Sequence, residues 1–197
     1  MKPAALGFRV HSGWTALVAV SLENGSPRIL LRGRPHLVKS FNPQFRQPYH
    51  AAEKKPLAEA EAFIARVEAE AGELAGQAFD AARRELNEQG YELDRWALLL
   101  AAGRPLPELA RILASHALIH TADGELFRKA LLGAGGARGV KAFTLKENAL
   151  LETASQSLRI PADELRHRMT ALGSGLGPPW SQDEKYSALA AWLALRN

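Results

Sequence analysis

The 197-residue sequence predicts an α/β fold in which helices flank a mixed five-stranded sheet. Two apolar, β-prone runs within residues 6–20 flank a short turn, which is the pattern of a β-hairpin. Residues 51–89 carry apolar side chains at steps of three and four, which indicates one face of a helix. A continuous apolar run at 96–102 is typical of a buried central strand. These features predict three antiparallel strands at the N-terminus and two further parallel strands.

The first quarter of the chain is expected to form an antiparallel meander. The Asn24-Gly25 dipeptide suits the positive φ angles of a tight turn, so a third strand is expected over residues 28–34, continuing through 36–39. A proline-containing loop then leads into the long helix. Gly72 and Gly76 are expected to bend or break that helix, because glycine is unfavourable in helix interiors.

After the central strand, the patterns predict further helices and one more strand. These elements are helical signals at 106–115 and 123–132, a strand at 140–145, and helices at 147–157, 162–172 and 182–195. The glycine-rich segment 133–139 runs from a helix into a strand, whereas phosphate-binding loops run from a strand into a helix. We therefore interpret this segment as a helix stop. The chain is expected to form one domain, residues 1–197.

The composition is that of a globular protein and excludes several kinds of site. Apolar residues make up 47% of the chain and charged residues 23%. The absence of cysteine excludes disulfides and thiolate metal sites. No apolar run has the form of a signal peptide or approaches the length of a membrane span. We therefore expect a cytoplasmic protein without a membrane partner.

The positive charge is concentrated at the start of the chain. Residues 1–52 contain seven lysines and arginines and a single acid, so they carry +6, while the whole chain carries +4. Such an asymmetry predicts a basic face that attracts phosphates, although a solvated strand surface gives the same pattern. The expected partner is nucleic acid or another phosphate-bearing ligand. The candidate ligand-binding residues are Arg9, Arg32, Arg34, Lys39 and Arg46.

Two segments resemble motifs of a known superfamily. Residues 6–20 resemble the opening hairpin of the ribonuclease H-like superfamily, most closely that of RuvC-type junction resolvases, in which a Gly-apolar-Asp stretch presents a metal-binding aspartate. In this chain Gly7-Phe8 is followed by Arg9. The last helix, residues 183–192, resembles the resolvase helix with its Asp-x-x-Asp-Ala-Leu-Ala pattern. Glu184 takes the place of the first acid of that pattern and Ser187 the place of the second. The order of strands and helices also resembles that of the ribonuclease H-like fold.

The resemblance implies that most catalytic acids of the family are missing. The family uses clustered carboxylates to hold two divalent cations, which activate a water and stabilise the leaving oxygen. Arg9 and Ser187 stand at two of the acidic positions, and the central run at 98–102 ends without an acid. We therefore do not expect two-metal nuclease activity, but a degenerate relative that binds nucleic acid or another phosphate-bearing ligand. Glu184 remains a candidate catalytic residue, or a solvated acid near a helix N-terminus.

The histidines suggest a second hypothesis, an enzyme with a rebuilt site on the same fold. His116 and His120 are four residues apart and therefore share one face if the segment is helical. They could pack in the core, carry protons, or ligate a transition metal if Asp123, Glu125 or His50 completed the set. No resident metal is assigned, and the cofactor is left open. The candidate catalytic residues are His11, His50, His116, His120, Glu125 and Glu184.

A third hypothesis is an interaction module. The alanine-rich helical segment, residues 57–86, could mediate a homodimer through exposed apolar positions.

Overall fold

The computed structural model describes residues 1–103 and 105–196. Five strands form one sheet in the order β3-β2-β1-β4-β5. The first three strands pair antiparallel, whereas β4 pairs parallel to β1 and β5 pairs parallel to β4. The strands are β1 (Lys2–His11), β2 (Trp14–Glu23), β3 (Ser26–Gly33), β4 (Tyr91–Leu100) and β5 (Lys141–Lys146). The predicted mixed five-stranded sheet is confirmed.

Helices cover both faces of this sheet. The long helix α3 and helix α5 pack on one face, and α8, supported by α6 and α7, packs on the other. The helices are α1 (Pro43–Arg46), α2 (Pro48–Ala52), α3 (Leu57–Glu88), α4 (Leu109–Leu113), α5 (His116–Ala137), α6 (Leu150–Leu158), α7 (Ala162–Ala171) and α8 (Gln182–Arg196). A single 3₁₀ turn, Glu147–Ala149, joins β5 to α6.

The alternation of side chains along β1 divides the core into two layers. Even-numbered residues such as Leu6 and Phe8 face α3, while Ala5 belongs to the layer under α8. Phe8 packs against Phe79 of α3 at a ring distance of 5.0 Å, and Phe79 packs against Trp96 of β4 at 5.1 Å. Because Arg9 is odd-numbered, the same alternation places it on the α8 side of the sheet.

Gly7 allows α8 to lie directly on β1. A Cβ atom at this residue would lie 1.9 Å from the carbonyl oxygen of Ser187, so only glycine fits without movement of the helix. Ser187 is fully buried and donates a hydrogen bond to the carbonyl of Ala16, 3.2 Å away. The close contact holds the N-terminal turn of α8 near the carboxyl end of β1.

Glycines do not interrupt the helices where the sequence predicts interruption. Helix α3 runs unbroken through Gly72 and Gly76, because its apolar stripe packs continuously in the core and the Arg138 guanidinium fills the space beside Gly76. Helix α5 likewise continues past residue 133, because Gly135 lies against the indole of Trp96. The helix then ends at Ala137, and Gly139 adopts a φ of +65° before β5 begins. The helix stop predicted for 133–139 therefore lies at the end of that segment.

Two further boundaries differ from the prediction. Strand β3 ends at Gly33, and only an isolated bridge between Trp14 and His36 extends the pairing. Helix α5 begins at His116, so the segment before residue 123 is helical.

Candidate functional site

A cluster of charged groups lies where the carboxyl end of β1 meets the N-terminus of α8. The Arg9 guanidinium forms a bidentate pair with Glu147, with Nε–Oε2 at 3.0 Å and Nη2–Oε1 at 2.6 Å. Its Nη1 donates to Asp183 Oδ1, and His11 Nε2 lies 2.8 Å from the same oxygen. Glu147 follows β5 directly, so three distant parts of the chain converge here. We refer to these four residues as the Arg9 cluster.

Two groups of the Arg9 cluster, Arg9 and Asp183, have pKa values shifted towards their charged forms. The hydrogen bond to Glu147 is the main cause of the raised pKa of Arg9. Burial would raise the pKa of Asp183, but the hydrogen bonds from His11 and Arg9 outweigh it and lower that pKa below its ordinary value. The cluster therefore balances positive and negative charge within the chain.

Glu184 is bound by Arg34 and Ser181, which also contact Asp183 of the Arg9 cluster. Its Oε1 accepts from Arg34 Nε at 2.7 Å, and its Oε2 accepts from the backbone N–H of Ser181 at 2.8 Å and from the Ser181 hydroxyl at 2.7 Å. The Asp183 N–H in turn donates to the Ser181 hydroxyl at 3.2 Å. This is a capping box of the form Ser-x-x-Glu at the start of α8. Burial alone would raise the pKa of Glu184, but these hydrogen bonds lower it to about 2.

Because the pKa of Glu184 is lowered, part of the stability of the fold depends on pH. The contribution of Glu184 is fully present above its ordinary pKa of 4.5 and is lost as the pH falls through about 2. We expect Glu184→Gln to cost on the order of 2–3 kcal/mol at pH 7, allowing for the exposure of Arg34, and less at pH 3. Glutamine keeps the capping box, so the variant isolates the charge. Urea unfolding at both pH values measures the difference.

The control is Glu164→Gln, which removes an exposed carboxylate paired with Arg168. We expect little change at either pH, because surface pairs contribute about 0–1 kcal/mol. A Glu184→Gln difference that is the same at pH 7 and pH 3 would contradict the assigned role of its charge.

A second cluster combines three of the predicted histidines. His116 and His120 lie on the first turns of α5 with their Nε2 atoms 3.1 Å apart, and His50 of α2 packs against both rings. His50 Nδ1 lies 2.5 Å from Asp123 Oδ2. The other Asp123 oxygen accepts from the backbone N–H of Tyr49 at 2.8 Å. We refer to His50, His116 and His120 as the histidine cluster.

The structure thus brings the predicted catalytic residues together as two groups rather than one. Within residues 1–103 and 105–196, no hydrogen bond or ring contact joins His11 to the histidine cluster. Glu125 pairs with Arg128, with Oε1 and Nη1 2.9 Å apart. The six candidate catalytic side chains therefore do not form a single site.

Glu125 lines an apolar cavity of about 730 Å³ at the carboxyl ends of β4 and β5. Leu100 and Lys146, the last residues of these strands, form part of its wall. Such strand ends are where ligands bind in open α/β sheets. The remaining lining is supplied mainly by α3, α4, α5 and the segment before α4.

Of the predicted ligand-binding residues, three arginines bind groups of the protein itself. Arg9 and Arg34 pair with the acids described above, and Arg32 donates to carbonyl groups in the loop before α8, including that of Gly177 at 2.9 Å. Lys39 is exposed, with its Nζ 3.5 Å from Glu73 Oε2, whereas Arg46 is half-buried. The Lys39 side chain is 62% exposed, and Arg46 uses Nε to donate to the Ser12 carbonyl at 3.3 Å.

Aromatic rings hold several cations beside the β1–β2 turn. The Arg46 guanidinium carbon lies 4.3 Å from the ring centre of Phe41, and the His36 ring stacks on the same phenyl ring at 4.5 Å. The Arg34 guanidinium lies 4.9 Å from the ring centre of Trp14. We refer to the outer part of this region as the hairpin-end surface; it consists of the exposed residues Arg34, His36, Lys39 and Phe41 and the half-buried Arg46.

Sequence reasoning did not assign a role to Glu147, Phe41 or Trp14. Glu147 had a usable signal, since an acid directly after a parallel strand lies at the ligand edge of a sheet. Phe41 is an exposed aromatic in a polar loop next to basic residues, which is also an indication of a binding surface. The partnership of Arg9 with Glu147 had no local signal.

The long helix leaves little apolar surface for a second copy of the chain. The stripe from Ala60 to Leu86 is buried against the sheet and α5. Leu57 is the large apolar side chain of α3 that stays exposed among the described residues. A homodimer through α3 stays a prediction.

Within the described part of the chain, no helix combines the length and apolar character needed to cross a membrane. No protein-family model matches the sequence, and no curated protein matches it. Solved structures do match. The structure of T. thermophilus RuvC in complex with Holliday junction substrate is 13% identical with a TM-score of 0.54, over 96% of this chain and 90% of that chain.

A second Thermus thermophilus RuvC structure is 12% identical with a TM-score of 0.51, over 96% of this chain and 91% of that chain. In both comparisons the alignment extends over nearly the whole of both chains, including the sheet and the helices on its two faces. At this level of identity the likeness identifies the fold, and the chain has the ribonuclease H-like α/β fold.

Proposed function

We propose that this protein is a non-cleaving relative of the RuvC-type nucleases that binds nucleic acid. The Arg9 cluster is the observation that supports the absence of cleavage. A guanidinium stands at the position where the resemblance predicts the first metal-binding carboxylate, and Glu147 and Asp183 both accept its hydrogen bonds. A fixed positive charge between two acids opposes a divalent cation at the same place.

The other residues at this edge also do not fit a pair of divalent cations. Both oxygens of Glu184 are engaged by Arg34 and Ser181, and Ser187 is buried with its hydroxyl bonded to a backbone carbonyl. Two-metal catalysis needs several carboxylates that are free to coordinate. We therefore assign no metal-dependent cleavage to the Arg9 cluster.

The hairpin-end surface supports the proposed binding of nucleic acid. Arg34 and Arg46 lie against aromatic rings, which fixes their orientation and so reduces the entropy lost when they contact a phosphate. Arg34 also keeps its pairs with Glu184 and Asp183, which neutralise part of its charge. Among the described residues, Arg46 uses only its Nε in a hydrogen bond to the protein. Its two Nη groups are therefore left for a ligand. Lys39 adds a third cation, which pairs on the surface with Glu73 at 3.5 Å between Nζ and Oε2.

The fold comparison is consistent with this ligand class. The matching T. thermophilus RuvC structure contains a Holliday junction substrate, so a protein of this fold has a surface for nucleic acid. The net charge of +4 on this chain favours association with polyanions. Phosphate contacts from a small number of cations are expected to give binding that is not specific for base sequence.

Fluorescence anisotropy with single-stranded, duplex and four-way-junction DNA tests the proposal. We expect the logarithm of the affinity to fall linearly with the logarithm of the salt concentration, with a slope of about −2 to −3 for three phosphate contacts. The double variant Lys39→Gln/Arg46→Gln is expected to reduce that slope by about two, roughly one for each charge removed.

Lys141→Gln is the matched control, because Lys141 is an exposed cation at the amino end of the edge strand β5. It removes the same charge as a single variant of the hairpin-end surface and is expected to leave the slope nearly unchanged. Binding without salt dependence, or equal weakening by the control, would contradict the proposed surface. Magnesium- or manganese-dependent cleavage that is lost in Glu184→Gln would contradict the non-cleaving assignment.

A further inference from the structure

The histidine cluster has the geometry of a metal site. His50, His116 and His120 each offer a ring nitrogen, and these three nitrogen atoms all lie within 4.8 Å of one another. The helical i, i+4 spacing places His116 and His120 side by side, and α2 supplies the third ring from a different part of the chain. Three nitrogen ligands converging from two elements are the protein contribution expected of an open tetrahedral site.

Asp123 fixes the orientation of one of these rings. Its side chain is almost fully buried, and it accepts from His50 Nδ1 and from the backbone N–H of Tyr49. With its proton on Nδ1, the His50 ring keeps the Nε2 lone pair for a metal ion. A carboxylate behind a ligating histidine is the usual arrangement around bound zinc, where it sets the tautomer and strengthens the ligand.

The chemistry of the donors selects the class of ion. Imidazole nitrogen suits Zn²⁺, Co²⁺, Ni²⁺ and Cu²⁺, whereas Mg²⁺ and Ca²⁺ require oxygen ligands. His116 and His120 are exposed, so an ion can enter and a fourth position faces solvent. The site is independent of the hairpin-end surface, which uses none of the three histidines.

We propose that His50, His116 and His120 bind one transition-metal ion of the Zn²⁺ class, with Asp123 as the positioning residue and one coordination position open to water. The ion joins α2 to the first turns of α5. Those two helices are otherwise connected through the Asp123 hydrogen bonds and apolar contacts.

The test uses the full-length protein without a polyhistidine tag, freed of metal by a chelator. Calorimetric titration with Zn²⁺ is expected to give one ion per chain, and Co²⁺ is expected to give the visible absorption of tetrahedral coordination. His120→Gln is expected to weaken Zn²⁺ binding at least about 100-fold, since it leaves two protein ligands. Asp123→Asn is expected to weaken it about 10- to 100-fold.

His167→Gln is the matched control, because His167 is an exposed histidine on α7, outside the cluster. The Zn²⁺ affinity of the His167→Gln variant is expected to equal that of the unmodified protein. The proposal is overturned if no Zn²⁺ binds, if His120→Gln binds as well as the control, or if Co²⁺ binds only with an octahedral spectrum. His116→Gln serves as a second exposed variant should His120→Gln fail to fold. An unchanged affinity in a folded Asp123→Asn protein overturns the positioning role.

Discussion

Replacing Gly7 with alanine is expected to destabilise the protein by about 3 kcal/mol or more, the upper range for overpacking a core. The added Cβ would lie 1.9 Å from the Ser187 carbonyl oxygen and 3.1 Å from the Ala191 backbone nitrogen. Both neighbours are backbone atoms of α8, so no side-chain rotation relieves the clash. The helix would have to move away from β1 and take Asp183 and Glu184 with it.

Urea unfolding of Gly7→Ala and Gly72→Ala separates this contact from the general effect of removing a glycine. Gly72 lies within α3, and nothing lies within 4 Å of the Cβ position there. Alanine at that position is expected to stabilise the protein by about 0.5–1 kcal/mol. If the two variants proved equally stable, the close approach of α8 to β1 would have to be rejected.

Arg9→Met is expected to cost about 2–3 kcal/mol at pH 7. The substitution removes the bidentate partner of Glu147 and one partner of Asp183, which keeps His11 and Arg34. Removing one member of a buried ion pair costs about 3–5 kcal/mol. The lower figure allows for solvent, because the side chains of Arg9, Asp183 and Glu147 are 19%, 17% and 34% exposed. Methionine keeps most of the aliphatic volume, so the loss reports mainly on charge.

The loss of stability in Arg9→Met is also expected to be smaller at low pH. The pKa of Asp183 lies below its ordinary value of 3.8 in the folded protein, so its ion pair stabilises the fold above that pH and ceases to do so as the pH falls through the lowered pKa. Urea unfolding of the wild type and of Arg9→Met at pH 7 and pH 3 measures the change.

Arg28→Met provides the comparison, because Arg28 pairs with Glu23 on the surface, where the two side chains are 56% and 42% exposed. A change of about 0.5 kcal/mol or less is expected there. Equal losses in the Arg9 and Arg28 variants would mean that the Arg9 cluster behaves as an ordinary surface pair.

The sheet was predictable because its signals are local. Alternation within residues 6–20, the Asn24-Gly25 turn and the apolar run of β4 each depend on neighbours in sequence. Helix boundaries were harder to predict where tertiary packing overrides propensity. Gly135 stays helical because it fits beneath Trp96. The sequence around residue 135 does not indicate that contact.

The partners within each charged cluster could not be predicted, because they are distant in sequence. Arg9 meets Glu147 across 138 positions and Asp183 across 174, and His50 meets Asp123 across 73. The placement of His116 beside His120 was predicted on the condition that their segment is helical, and α5 meets that condition. The third histidine required knowledge of how α2 lies against α5.

Helix α8 comes late in chain order but covers the middle of the sheet. Val18, Val20, Ala97 and Leu99 are buried beneath it, on strands completed more than 80 residues before Gln182. While the polypeptide is being synthesised, that apolar surface stays open until α8 has left the ribosome. Nascent chains that stop short of α8 therefore expose a ready surface for aggregation or chaperone capture.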